Sequence, residues 1–219
     1  MVALAMRPYD GYFYNLGRET FLTPLQWEEG WPIVSPRNGR IEFEHTAPNL
    51  PEHPWLPTSD CDHFETDTLA YVWNFLRTPR DTFWDLTSRP GHLRLALRPE
   101  KLSERVNPSF VGRRQQHIAF LAQAAMDFTP AAEYESAGLA LLQNDDFHFR
   151  FVCTLDAEGN RVVRLVQRMK GQENILGEVV LETEDRTYFR ARADGQRYDF
   201  YTAASLDRWV PVAENVDGR

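Results

Sequence analysis

Cysteine is scarce in this chain. Cys61 and Cys153 are the only two and lie far apart, so no disulfide framework holds the fold, and two reduced thiols in the cytoplasm are the expected state. Long apolar runs are missing; none approaches the length of a membrane span. The opening residues MVALAMRPYDG carry too short an apolar stretch for a secretory signal, and Arg7 and Pro8 interrupt it. Positive charge is in deficit. The chain has 24 basic and 32 acidic residues, a net charge of -8, which argues against a nucleic-acid partner. GxSxG, Walker, GxGxxG and HExxH patterns are all absent. These absences exclude a disulfide scaffold and a helical membrane span, and they name no catalytic constellation.

What is present is material for a core. The 219 residues are 42% apolar and 13% aromatic, enough for one large all-β domain or two small ones. Strand signals dominate. Met1–Met6 and Gly17–Leu22 are strand candidates, and Trp27-Glu28-Glu29-Gly30-Trp31-Pro32 reads as a turn flanked by tryptophans. Ile41–Phe43 is a short alternating piece. Pro48, Pro51, Pro54 and Pro57 recur every three residues, which favours an extended, partly polyproline connector over 44–68. Leu93–Leu97 alternates, and Ile118–Phe128 ends as a strand at Pro130. Ala137–Leu142, Phe147–Cys153, Val162–Val166, Glu178–Glu182, Tyr188–Ala193 and Tyr198–Tyr201 follow, with turns at Glu158-Gly159-Asn160 and Asp194-Gly195. Trp209 and Val210 open a further strand, and Val212–Arg219 reads as an irregular tail without a closing strand. This order predicts an antiparallel β-sandwich over 69–219 with little helix.

One stretch stands apart. From Trp73 to His117 the chain holds Arg77-Thr78-Pro79-Arg80, Arg89-Pro90-Gly91 and Gly112-Arg113-Arg114-Gln115-Gln116-His117. Arginine beside tryptophan, punctuated by proline and glycine, suits guanidinium groups held by stacking and bidentate pairing. The candidate contact residues are Trp73, Arg77, Arg113, Arg114 and His117, with the two arginines of 113–114 expected to be hydrogen-bonded and His117 expected on the wall of a strand. Asp60-Cys61-Asp62-His63 collects metal-ligand types, but its spacing fits no closed zinc pattern and a polar turn is the simpler reading. The alternating aromatic strands offer either core filling or a sugar-stacking platform, and core filling is the reading favoured, because half of each strand must face inward.

Several ordered motifs together resemble glycoside hydrolase family 43 β-xylosidases and α-L-arabinofuranosidases. Asn15-Leu16-Gly17-Arg18-Glu19-Thr20-Phe21-Leu22 with Trp27–Pro32 is similar to the end of their five-bladed catalytic propeller. Trp73–Pro79, Arg89–Leu95, Phe110–His117 and Ala137-Gly138-Leu139 resemble their C-terminal concanavalin A-like β-sandwich. The resemblance implies a propeller remnant over 1–43, the connector over 44–68 and an accessory sandwich over 69–219, clipped at both ends and lacking its final strands. The family's aspartate base, glutamate acid and modulating aspartate belong to the propeller upstream, and Glu19 is none of them. The implied role is therefore an accessory domain without catalytic residues, cofactor or metal, although the fold by analogy allows a calcium site. Its partner would be the catalytic propeller of the same enzyme or of another chain, with xylo-oligosaccharide reached only through that domain. The alternatives are a free-standing lectin-like module and a hydrolase in its own right. The resemblance also implies exposed apolar surface around Trp27, Trp31 and Trp73.

Overall fold

A computed structural model of the chain describes residues 1–9, 11–183 and 186–219. Sixteen strands and no helix occur among them, and the chain divides into two units, Met1–Asp62 and His63–Arg219.

The first unit is small. Strand β1 (Val2–Met6) pairs antiparallel with β2 (Arg18–Leu22), and β3 (Leu25–Glu28) pairs with β4 (Trp31–Val34). Glu29 and Gly30 both take positive φ, 50° and 85°. That is the geometry a two-residue hairpin turn needs, and the turn sits where the flanking tryptophans predicted one. The Arg7 guanidinium donates to both oxygens of Glu19, at 3.2 and 2.9 Å, and the amino group of Met1 donates to the Thr23 carbonyl at 2.7 Å. Leu16, Thr23 and Ser35 are buried, whereas Val2, Leu4, Met6 and Leu22 are exposed. Ile41–Phe43 forms no strand. Arg37 and Asn38 instead converge on the Glu42 carboxylate, a local polar knot that a strand would have pulled apart.

The second unit begins with an irregular stretch whose regular structure is four two-residue strands: β5 (Asn74–Phe75), β6 (Trp84–Asp85), β7 (Arg94–Leu95) and β8 (Val111–Gly112). The predicted strand Leu93–Leu97 thus shrinks to two residues. Two four-stranded antiparallel sheets follow. One has the order β10 (Ala137–Asn144), β11 (Phe147–Leu155), β12 (Arg161–Met169), β13 (Gln172–Val180). The other has the order β16 (Arg208–Asp217), β15 (Arg197–Ser205), β14 (Thr187–Asp194), β9 (Ala119–Met126). The expectation of an irregular tail from Val212 is overturned, because β16 runs to Asp217. Its pairing with β15 shifts register three times, which erases the period-two pattern that marks a strand in sequence.

The core lies between these sheets. Phe149, Phe151 and Cys153 of β11 and Val163 and Leu165 of β12 face Phe189, Ala191, Tyr198 and Phe200. Their rings meet mostly edge to face, with Phe151 5.1 Å from Phe189 and 5.4 Å from Phe200. The aromatic positions of Phe147–Cys153 are therefore largely core filling. Arg161 is buried and crosses from one sheet to the other, donating to Thr183 O, Phe128 O and Thr187 Oγ1, each at 2.8 Å. Val152, Val162 and Val166 face away from this core yet are also buried, so the outer side of β11 and β12 is covered too.

Two glycines mark close approaches. A Cβ on Gly177 would lie 1.9 Å from the Val212 carbonyl oxygen, and one on Gly138 would lie 2.2 Å from that of Phe151. Both obstacles are backbone and cannot swing away. Gly177→Ala and Gly138→Ala should each cost on the order of 3 kcal/mol or more in denaturant unfolding. Gly159→Ala, in an open turn at φ 84°, should cost only about 1 kcal/mol. Equal effects at the three positions would contradict this packing.

Candidate functional site

The stretch from His63 to Ile118 offers few strand ladders, so its backbone carbonyls need other donors. Arginines supply them. Arg77 takes a positive φ of 69° and turns its guanidinium back across the chain. Nη1 donates to Val106 O at 2.8 Å and Glu104 O at 3.3 Å, and Nη2 reaches both oxygens of Asp145 at 2.9 and 3.0 Å. Asn107 Nδ2 answers with a 3.1 Å bond to Leu76 O. Arg98 donates to Ser109 Oγ at 3.0 Å and to Asn107 O, with its guanidinium 4.5 Å from the centre of the Phe83 ring. Phe75, Phe83 and Trp84 stack on one another beneath, with centroids 4.4–5.7 Å apart.

A second knot forms on Asp127, just past the end of β9. Arg186 grips it with two bonds of 2.8 and 2.9 Å, Arg89 adds an ion pair at 2.6 Å, and His92 Nε2 lies 3.9 Å away. The Arg186 fork, with Arg89 beside it, holds the Asp127 carboxyl down at about 2. The phrase Arg89-Pro90-Gly91-His92 is thereby moored to the end of the sandwich.

Of the predicted contact residues, Trp73 and Arg113 come together. Arg77 is an internal staple. Trp73 is half-buried rather than exposed, with Phe64 5.5 Å away and the Arg113 guanidinium 5.6 Å from its ring centre. Arg113 and Arg114 are both exposed, and for Arg113 the contact is that ring rather than a hydrogen-bonded fork. His117 is exposed and lies in the loop before β9, not on a strand wall; its carbonyl accepts from Gln115 Nε2 at 2.9 Å. Sequence reading missed Asp145 and Asp127, the acceptors on which the arginines converge. They lie 68 residues from Arg77 and 59 from Arg186, and nothing local marks them.

The resolved carboxyl shifts among the described residues run opposite to that of a general acid. A general acid needs a carboxyl whose pKa is raised. Among the described residues each carboxyl with a resolved shift moves down instead: Glu42, Asp85, Asp127, Asp156, Asp207 and Asp217. Asp85 is the clearest, held low by the Ser88 and Thr87 hydroxyls and the backbone N–H groups of both residues. Nor do three or more His, Cys, Asp or Glu side chains gather as a metal site among those residues. What the site does chemically is hold an irregular layer in place.

Known proteins give this arrangement a context. Residues 61–219 match the model of the "Beta xylosidase C-terminal Concanavalin A-like domain". The chain is 38% identical over 170 residues to the non-reducing end alpha-L-arabinofuranosidase BoGH43B of Bacteroides ovatus, covering 77% of this chain and 32% of that protein. It is 34% identical over 214 residues to a xylan 1,3-beta-xylosidase of a Vibrio species, 94% of this chain and 38% of that one. The solved structure of the GH43 BlXynB protein from Bacillus licheniformis superposes with a TM-score of 0.92 at 29% identity, over 99% of this chain and 42% of that one. The Bacteroides ovatus GH43B structure gives 0.92 at 33% identity, over 99% and 43%. The chain thus spans about a third of the length of the curated relatives it matches.

The two arginine classes separate experimentally. Arg113→Ala removes one exposed cation–π contact and should cost less than about 1 kcal/mol in thermal unfolding. Asp127→Asn leaves two guanidinium groups without their carboxylate and should cost about 1–3 kcal/mol. The Asp127 pKa is lowered in the folded state, so its contribution is complete above about pH 4 and lost as pH falls toward about 2. A larger loss from Arg113→Ala than from Asp127→Asn would reverse the assignment.

Proposed function

The chain belongs to the C-terminal concanavalin A-like domains of glycoside hydrolase family 43 β-xylosidases, and we propose that it serves as the accessory β-sandwich of a xylan-degrading exo-glycosidase of the β-xylosidase or α-L-arabinofuranosidase type. In this role it carries no catalytic residue of its own. The catalytic domain, in the same chain or a partner chain, supplies the acid and base, and xylo-oligosaccharide meets the enzyme there. The observation that carries the reading is the superposition: nearly all of this chain fits less than half of two family 43 enzymes. The remaining length of such enzymes is where the hydrolytic groups belong. The downward-shifted carboxyls support the same division of labour.

The first unit supplies a surface for that partnership. Val2, Leu4, Met6 and Leu22 line one face of the β1–β2 pair, and Trp27 and Trp31 are 69% and 74% exposed on the neighbouring hairpin. Apolar side chains in such number on so small a unit mark a docking face. In this proposal they pack against the catalytic propeller, of which residues 1–43 form a part. The thiols Cys61 and Cys153, unlinked to each other, suit a cytoplasmic enzyme acting on imported oligosaccharides.

The chain alone should show no turnover of nitrophenyl β-xyloside or nitrophenyl α-L-arabinofuranoside, and no calorimetric heat with xylohexaose. Turnover above background would overturn the accessory role, and binding of xylohexaose by this chain would favour the lectin-like alternative. Trp27→Ser with Trp31→Ser should leave the melting temperature of the chain within about 2 °C while reducing its self-association in sedimentation.

A further inference from the structure

One buried titratable group takes no part in the proposed role. His148 lies on β11, faces away from the core and is 4% exposed. Its Nδ1 is 3.1 Å from Asn144 O. A carbonyl only accepts, so Nδ1 carries the proton in the neutral ring. Nε2 then presents a bare lone pair, buried and without a hydrogen-bond partner.

The bond to Asn144 lands on a turn that bears unusual traffic. Asn144 Oδ1 accepts from the backbone N–H groups of Asp146 and Phe147 at 2.9 and 3.0 Å. Arg168 Nε donates to Asp145 O at 3.0 Å, the Asp145 carboxylate receives the Arg77 fork, and Arg105 lies 4.0 Å from it. Through Arg77 this turn holds the carbonyls of Glu104 and Val106.

The charged neighbours are biased against a second proton. Across β12, Arg168 is the direct partner of His148, and on β10 the partner is the apolar Leu142. Arg150 lies two residues along β11. Glu173 of β13 is already engaged by Arg150 at 2.6 Å and Arg168 at 3.6 Å, and Asp146 by Arg168 at 3.7 Å. From the irregular layer the charges at the turn are Arg77 and Arg105. Protonated Nε2 would be a buried donor lacking an acceptor, set among guanidinium groups.

We propose that His148 is an acid-sensitive latch on the Asn144–Asp146 turn: a second proton, at the buried Nε2, drives the ring out to solvent and with it the Nδ1–H bond to Asn144 O, which loosens the Arg77 staple and frees residues 98–110 from the sandwich. Burial, with help from Arg150 and Arg168, outweighs the opposing pull of the Asn144 carbonyl and Glu173 and lowers the folded-state pKa of His148. The latch is therefore fully closed above the unfolded value of about 6.5 and opens as pH falls below it.

Hydrogen exchange on the whole chain tests this, compared at about pH 7.5 and 5.5 after correction for intrinsic rates. Protection of 98–110 and 140–148 should fall by up to about tenfold, because pH 5.5 lies about one unit below the open-state pKa of about 6.5. His148→Gln should make protection equal at the two pH values. Arg77→Ala should leave 98–110 unprotected at both. Unchanged protection in the native chain, or pH dependence that survives His148→Gln, overturns the latch. A His148 ring titration observed by NMR at or above about 6.5 would overturn it independently of any variant.

Discussion

The fold depends on guanidinium groups bonded to main-chain carbonyls. A segment of roughly fifty residues cannot lie ordered against a sandwich with four two-residue strands unless its carbonyls find donors elsewhere. Arg77 serves Glu104 and Val106, Arg98 serves Asn107, Arg161 serves Phe128 and Thr183, and Arg168 serves Asp145. Each is a planar fork that reaches several acceptors at once, a task for which a lysine ammonium is poorly shaped. Composition agrees with this use: of 24 basic residues only Lys101 and Lys170 are lysine.

This constraint also orders the functional argument. The sandwich contributes a rigid core, with β11 and β12 buried on both faces. The arginine layer consumes the polar groups that a catalytic face would need free. Asp145 and Asp127 look in isolation like candidate acids, yet both are occupied as acceptors, and Asp127 stays ionised across any working pH. In the proposed accessory role, chemistry is left to a catalytic domain, and the exposed apolar side chains at the start of the chain are where that domain would sit.

The legible parts of the sequence were those governed by local rules. Phe147–Cys153 alternates because one face fills the core, and Asp194-Gly195 turns because the two-residue link to Arg197 requires it. The start of β16 at Trp209 and Val210 was legible, but its continuation to Asp217 was hidden because Asn215 adopts φ 56° and three register shifts scramble its pattern. Leu93–Leu97 misled in the opposite sense: its alternation is real, but only Arg94 and Leu95 find a partner, at Trp84 and Asp85. Within the arginine-rich stretch, density of charge pointed to the exposed Arg113 and Arg114 and not to Arg98, which donates to Ser109 and Asn107. Which arginine becomes a staple is decided by carboxylates and carbonyls tens of residues away, information that periodicity does not carry.

Carbonyl stapling therefore stands or falls on the shape of one side chain, Arg77. Equilibrium unfolding of the native chain, Arg77→Lys and Arg77→Ala compares charge with fork geometry at the same site. If carbonyl stapling is what orders the layer, lysine restores little, and both variants lose about 1–3 kcal/mol. A lysine variant within about 0.5 kcal/mol of the native chain would show that charge alone suffices, and the account would be wrong.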